Sequence, residues 1–183
     1  MPIKFVATCL TSDQFEACTN MQIEIVRNYA LSYGEIKPGC VTDFSIHCFN
    51  SATLKALKRL GAQRATLHPE LNMAQIRDIE KCIDTEAVIY GTLPLMKMKN
   101  PPNADKLSDR IGTSFPLHND KLYNSVPIFM ADRLNEVEKC GISHGRLIFT
   151  NESANDVRTI INAYRHRKTL KINFTRGKFY SKV

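Results

Sequence analysis

No apolar stretch in this sequence is long enough to cross a bilayer. The longest, such as AVIYGTLPLM from Ala87 to Met96, stop well short of the ~20 residues a spanning helix needs. The N-terminal MPIKFVATC has no apolar core of signal-peptide length, so a cytoplasmic chain with no membrane association is expected. Glycine and proline are scarce, at 8 each in 183 residues, and hydrophobic residues make up 43%. That balance excludes collagen-like, disordered and coiled-coil chains and leaves one domain of ordinary size. Six cysteines (Cys9, Cys18, Cys40, Cys48, Cys82 and Cys140) include no C-x-x-C pair, so reduced and mostly buried thiols are expected. Neither G-x-G-x-x-G nor G-x-x-x-x-G-K-[ST] occurs, which lowers a nucleotide-binding reading. H-E-x-x-H and G-x-S-x-G are missing too, so neither a zinc hydrolase nor a serine elbow is indicated, and no metal ligands are assigned.

What is present is alternation. Lys4 to Thr8 reads as a strand, with Ser12 as the cap of a short helix, and Ile23 to Arg27 as a second strand. Residues 31–39 read as a loop, and Phe44 to Phe49 as an apolar run feeding the helix-cap residues Asn50 and Ser51. Leu54, Leu57 and Leu60 share one face of the next helix, which Gly61 ends. The plan repeats: strand Arg64 to Leu67, the turn HPELN, a helix from Met73 to about Ile83, and strand Ala87 to Tyr90. Prolines then accumulate, and residues 93–122 read as an inserted loop or hairpin with a strand near Ser114 to Leu117. Strand Val126 to Met130, helix Asp132 to Lys139, strand Arg146 to Thr150 and helix Ser153 to Tyr164 follow. Alternating strands and helices require right-handed crossovers and a parallel sheet. The expected fold is α/β, an open doubly wound sheet or a partial or degenerate TIM-like (β/α) barrel, in a single domain over 1–183.

In such sheets ligands meet the carboxyl ends of the strands. Those ends carry His47 and Asn50, His68 and Glu70, Tyr90, then Thr150, Asn151 and Glu152. A carboxylate beside imidazoles suits acid–base chemistry, which makes Glu70 and His47 the candidate catalytic pair, with Asn50, His68, Tyr90 and Glu152 as substrate contacts. The structural reading of the same residues is helix capping by Asn50, Asn151 and Ser153, with Glu70 and Glu152 at the positive ends of helix dipoles. Cys48, expected to alternate away from His47 on a strand, is assigned to the core.

Six segments, FNSATLKALKRLGAQRATLHPELNMAQI, VIYGTLPLM, LSDRIGTSFPL, NSVPIFMADRLNEVEKCG, RLIFTNES and FTRGKFYSKV, occur in order from about residue 47 to the end. Together they resemble the C-terminal part of the collagenase-like peptidase family U32. The resemblance implies the later part of a larger barrel, with the rest of that barrel or a second copy of the chain as partner. It implies a peptidase of unassigned catalytic type. Several relatives instead hydroxylate pyrimidines in RNA or a quinone ring and tend to hold an iron–sulfur cluster on cysteines. Where that pattern places cysteines this sequence has Pro101, Pro102 and Leu122, so no cluster is expected and no cofactor is assigned. Asp109 and Arg110 match the family's DR-x-G motif. They read either as an anion-binding arginine with an orienting carboxylate or as an ion pair locking the loop, and His118 and Asn119 beside them read as exposed substrate contacts.

The net charge of +7 lies in the tail, where Arg165, Arg167, Lys168, Lys171, Arg176, Lys178 and Lys182 follow one another without an acidic residue. Two substrates are therefore open, a peptide, or an RNA whose phosphates meet Arg165, Arg167, Lys168 and Arg176. A non-catalytic scaffold with a solvated basic terminus is the third reading. The family-like ending also allows the tail to dock, with Phe174 and Phe179 buried and Arg176 paired.

Overall fold

Apolar alternation makes β1 (Lys4–Thr8), with Val6 and Ala7 buried, and the chain turns at once into α1 (Ser12–Asn20). Thr11, one residue before the expected cap, closes the helix start: its hydroxyl accepts from the Gln14 N–H while Gln14 Oε1 accepts from the Thr11 N–H. The computed structural model describes residues 2–118 and 120–182. In place of a strand over 23–27 come β2 (Glu24–Ile25) and β3 (Tyr29–Ala30), followed by β4 (Val41–Thr42). The apolar run from Phe44 to Phe49 is not a strand. Asp43 Oδ2 accepts from the Ser45 N–H, which turns residues 44–46 into a 3₁₀ turn, and His47 leaves it with φ of 56°. Cys48 is nonetheless buried, as assigned, and pairs with Leu67 in an isolated bridge.

Asn50 caps α2 (Ser51–Arg59), its Oδ1 accepting from the Thr53 N–H at 2.9 Å, and Leu54 and Leu57 are wholly buried. After β5 (Arg64–Thr66), α3 (Met73–Asp78) stops five residues earlier than periodicity suggests. Ile79 turns extended there so that its side chain enters the core and the chain reaches β6 (Asp84–Gly91). Residues 93–122 form β7 (Pro94–Lys97), β8 (Lys106–Ser108), β9 (Ser114–His118) and β10 (Lys121–Tyr123), a small antiparallel sheet in the order β7-β10-β9-β8. Strands this short, with mostly exposed faces, leave no period to read. β11 (Ile128–Phe129), α4 (Leu134–Lys139), β12 (His144–Ile148) and α5 (Ala154–Arg165) complete the chain.

The main sheet runs β2-β1-β12-β6-β5-β4-β3, all parallel, with β11 antiparallel on β6. That order is the chain order wound once, with no reversal point of the kind an open doubly wound sheet has. Its two edge strands, β2 and β3, are separated by residues 26–28 alone, so the sheet curls into a half-barrel that brings its edges toward each other. Contacts across the concave face agree: Glu24 on β2 meets Arg64 on β5 at 2.6 Å, and the Tyr29 hydroxyl on β3 donates to Glu86 on β6 at 3.1 Å. The architecture is α/β with a curled parallel sheet and helices outside it. No helix of the described residues is long and apolar enough to cross a membrane.

Between helices and sheet lies the apolar core, from Leu54, Leu57, Ile89, Leu147 and Phe149 to Val157, Ile161 and Tyr164. At Gly145 the packing leaves no room for a side chain, since a Cβ there would stand 2.3 Å from Ile89 Cδ1. The fully buried Tyr164 hydroxyl donates to the Ile89 carbonyl at 2.5 Å and accepts from the Met130 N–H at 2.9 Å, tying α5 to β6 and to the end of β11. Beyond α5 the tail docks on the body. Thr175 bridges Ile128, Phe179 is buried, and the Phe179 and Ser181 carbonyls accept from the Met73 N–H and the Asn72 amide.

Candidate active site

The carboxyl end of β5 carries the first candidate cluster. Leu67 N–H donates to the Glu86 carbonyl and His68 N–H to the Cys48 carbonyl, which fixes His68 at the sheet rim. The turn that follows folds back, so that Glu70 N–H donates to His68 Nδ1 at 3.3 Å. With Nδ1 accepting, the neutral ring carries its proton on Nε2. Partial burial lowers the His68 pKa, with His47 lowering it further and Glu70 opposing, so the ring is neutral at physiological pH. Phe49 packs on His68 at 4.2 Å between ring centroids, and His47 stacks on it at 5.2 Å. His47 and Glu70 are both exposed at this rim, so the two residues predicted as a catalytic pair flank His68. His68 and Glu70 line a cleft of about 520 Å³ together with Leu93, Asn124, Ser125 and Lys178 of the tail, and His47 stands outside that lining.

The remaining strand-end residues assemble elsewhere. Tyr90 donates its hydroxyl to Glu152 Oε1 at 2.9 Å, and Glu152 Oε2 accepts from the Thr150 N–H at 2.6 Å. Burial and the neighbouring carboxylate push the Tyr90 phenol well above its ordinary value, so it stays a donor. Buried Gln14 donates to the Thr150 and Glu152 carbonyls and accepts from the Leu10 N–H, which holds the β1 and β12 loops together. His118 and Glu152, with Thr92, Tyr123 and Thr150, line a second hollow of about 300 Å³. The insert thus parts the expected site into two hollows.

Other candidates serve the fold. Asn50 is spent on capping α2. The expected Asp109–Arg110 ion pair does not hold the loop: Asp109 Oδ1 accepts from the Ile111 and Thr113 N–H groups at 3.0 and 2.8 Å, because its carboxylate is within reach of its own turn's backbone. Arg110 is exposed, and Asn119 lies outside the described residues. Of the tail cations, Arg176 makes a two-pronged pair with Asp132 at 2.6 and 2.8 Å, which holds that carboxyl below the usual range. Arg167 pairs with Glu138 at 2.8 Å, Arg165 donates to the Met21 carbonyl, and Lys168 is exposed.

Sequence reasoning missed the charged interior. Arg146 Nη1 meets Asp43 at 2.5 Å, Nε donates to Thr8 at 3.1 Å, and the guanidinium lies 3.8 Å over the Tyr29 ring. Below it Arg64 Nε stands 2.8 Å from Glu86 Oε1, and Thr66 and Tyr29 donate to Glu86 Oε2. Burial pushes the Glu86 carboxyl above its ordinary value despite Arg64. No local signal marks them: Arg64, Glu86 and Arg146 are charges in strands, preceded by Gln63, Thr85 and Gly145. Among the described residues no three His, Cys, Asp or Glu side chains are grouped to hold a metal. No protein-family model, no curated protein and no solved structure matches the chain.

Proposed function

We propose that this chain is a partial TIM-like barrel of the collagenase-like peptidase kind and that its 520 Å³ cleft binds a peptide for hydrolysis. The observation that carries the reading is the meeting of Glu70, neutral His68 and His47 at one strand-end rim. In it Glu70 takes a proton from water, whose oxygen attacks the scissile carbonyl. His68 donates its Nε2–H to the oxygen that gains charge, a task for a neutral imidazole. His47 gives a proton to the leaving amine as the carbon–nitrogen bond breaks and recovers one from protonated Glu70, which closes the cycle. The test is cleavage of heat-denatured collagen by the purified chain, wild type against Glu70→Gln. Cleavage reduced roughly a hundredfold or more in the variant is expected, and equal cleavage by both, or none by either, contradicts the reading.

One observation favours a second reading. The Phe49, His47 and His68 rings form a partly exposed stack, and His68 shares its cleft with Lys178, an arrangement suited to a nucleobase and its phosphate. On that reading, binding of single-stranded RNA weakens steeply with salt, and Phe49→Ala removes about 1–3 kcal/mol of affinity. Salt-independent binding, or none, dismisses it.

A further inference from the structure

Cys9 and Cys18 face each other with their sulfurs 3.5 Å apart, one at the carboxyl end of β1 and the other on α1. Their environments differ. Cys18 is wholly buried, whereas Cys9 is half-buried and opens into a surface hollow of about 400 Å³ that it shares with Thr11, Ser12, Phe15 and Arg27. Arg27 lies 4.2 Å over the Phe15 ring, which places a fixed cation on the wall of that hollow. We propose that Cys9 and Cys18 form a thiol-modification site, in which Cys9 is the reactive sulfur toward a peroxide and Cys18 resolves the product as an intramolecular disulfide.

Each half of the reaction has its geometry. The hydrogen bond between the two sulfurs holds the Cys9 thiol below its ordinary value and the Cys18 thiol far above it, so the thiolate forms on the accessible partner, where the Cys18 S–H can donate to it. The Cys9 thiolate attacks one peroxide oxygen. A sulfur–oxygen bond forms, the oxygen–oxygen bond breaks, and the departing hydroxide takes a proton and leaves as water. Cys18 then loses its proton, and its sulfur attacks the Cys9 sulfenic acid. The sulfur–sulfur bond forms as hydroxide departs and takes up that proton. Two thiols have lost two electrons, and one peroxide has become two waters. The sulfurs need to close by about 1.5 Å to reach bonding distance, a small rotation of two side chains that already point at each other.

The digest reads this directly. Trypsin releases Phe5 to Arg27 as one peptide, whose cysteines are Cys9 and Cys18 alone, while Cys40 and Cys48 fall in another. The native, fully reduced chain is treated with limiting hydrogen peroxide, remaining thiols are alkylated, and the digest is weighed. The expected result is that Phe5–Arg27 loses two hydrogens before any other cysteine peptide changes. In Cys18→Ser the sequence stops at the Cys9 sulfenic acid, trapped by dimedone, and in Cys9→Ser the Cys18 thiol survives. Should either variant fail to fold, brief alkylation of the wild type serves instead: Cys9 is alkylated first, and the disulfide then no longer forms. Oxidation of Cys40 or Cys82 while Phe5–Arg27 keeps both thiols overturns the proposal, as does Cys18 reacting ahead of Cys9.

Discussion

Replacing Glu86 with leucine leaves Arg64, 8% exposed at its side chain, facing an apolar group in the concave interior. The Thr66 and Tyr29 hydroxyls lose their acceptor, and the Arg64 guanidinium loses one of its two carboxylate neighbours. Breaking a buried pair costs about 3–5 kcal/mol, and Glu24, which stays on Arg64 at 2.6 Å, puts this variant at the low end of that range. Domains of this size are stable by about 5–15 kcal/mol, so Glu86→Leu removes about a fifth of the total or more. The double replacement Arg64→Met with Glu86→Leu behaves differently. It frees Glu24, half exposed and able to hydrate, and removes both desolvated charges, so its stability should return to within about 1–2 kcal/mol of wild type. The raised pKa of Glu86 points the same way, since burial there outweighs the attraction of Arg64. It also sets a pH signature. A carboxyl raised in the folded state contributes most below its unfolded value of about 4.3 and less as pH climbs through the raised value, and both variants lack that slope. The assay is urea unfolding followed by circular dichroism, since the chain has no tryptophan. A single-variant cost below about 1 kcal/mol, or a double variant as unstable as the single, refutes the reasoning.

Tyr164→Phe strands the Met130 N–H and the Ile89 carbonyl and should cost about 1–3 kcal/mol in the same assay, with an unchanged denaturant slope. Gly91→Ala should lower the melting temperature sharply, since φ is 123° there and a Cβ would stand 2.4 Å from the Ile148 carbonyl oxygen, with no flexible side chain to yield. Asp132→Asn should loosen the tail, seen as faster tryptic cutting at Lys178. The lowered Asp132 pKa means its pairing with Arg176 is in force above the unfolded value of about 3.9 and fades as pH falls through the lower folded value, so the two proteins should differ at pH 7 and converge in strong acid.

The helices that pack by periodicity are the ones the sequence announces. Asn50 with Leu54 and Leu57 marks α2, and Ser153 with Val157, Ile160, Ile161 and Tyr164 marks α5, because cap and stripe are both local features. β2, β3 and β4, at two residues each, are made by pairing across the curl rather than by any local run, so they carry no period. His68 and Glu70 were legible because a strand ending in a polar turn puts its residues at the rim. Their separation from Tyr90 and Glu152 was not, since it depends on where the β7–β10 sheet lands. The Arg64, Glu86 and Arg146 layer was hidden for a different reason. A charge in a strand reads as solvent-facing until the curl of the sheet encloses it.

The most direct test of the account compares peptide hydrolysis, as kcat/KM on a quenched fluorescent gelatin-derived peptide, among folded variants of the two hollows. The account predicts that Glu70→Gln and His68→Ala each lose roughly a hundredfold or more. His118→Ala, in the second hollow, keeps wild-type activity. Undiminished hydrolysis in Glu70→Gln, together with loss in His118→Ala or Glu152→Gln, would contradict the assignment and move the chemistry to the hollow beside Tyr90.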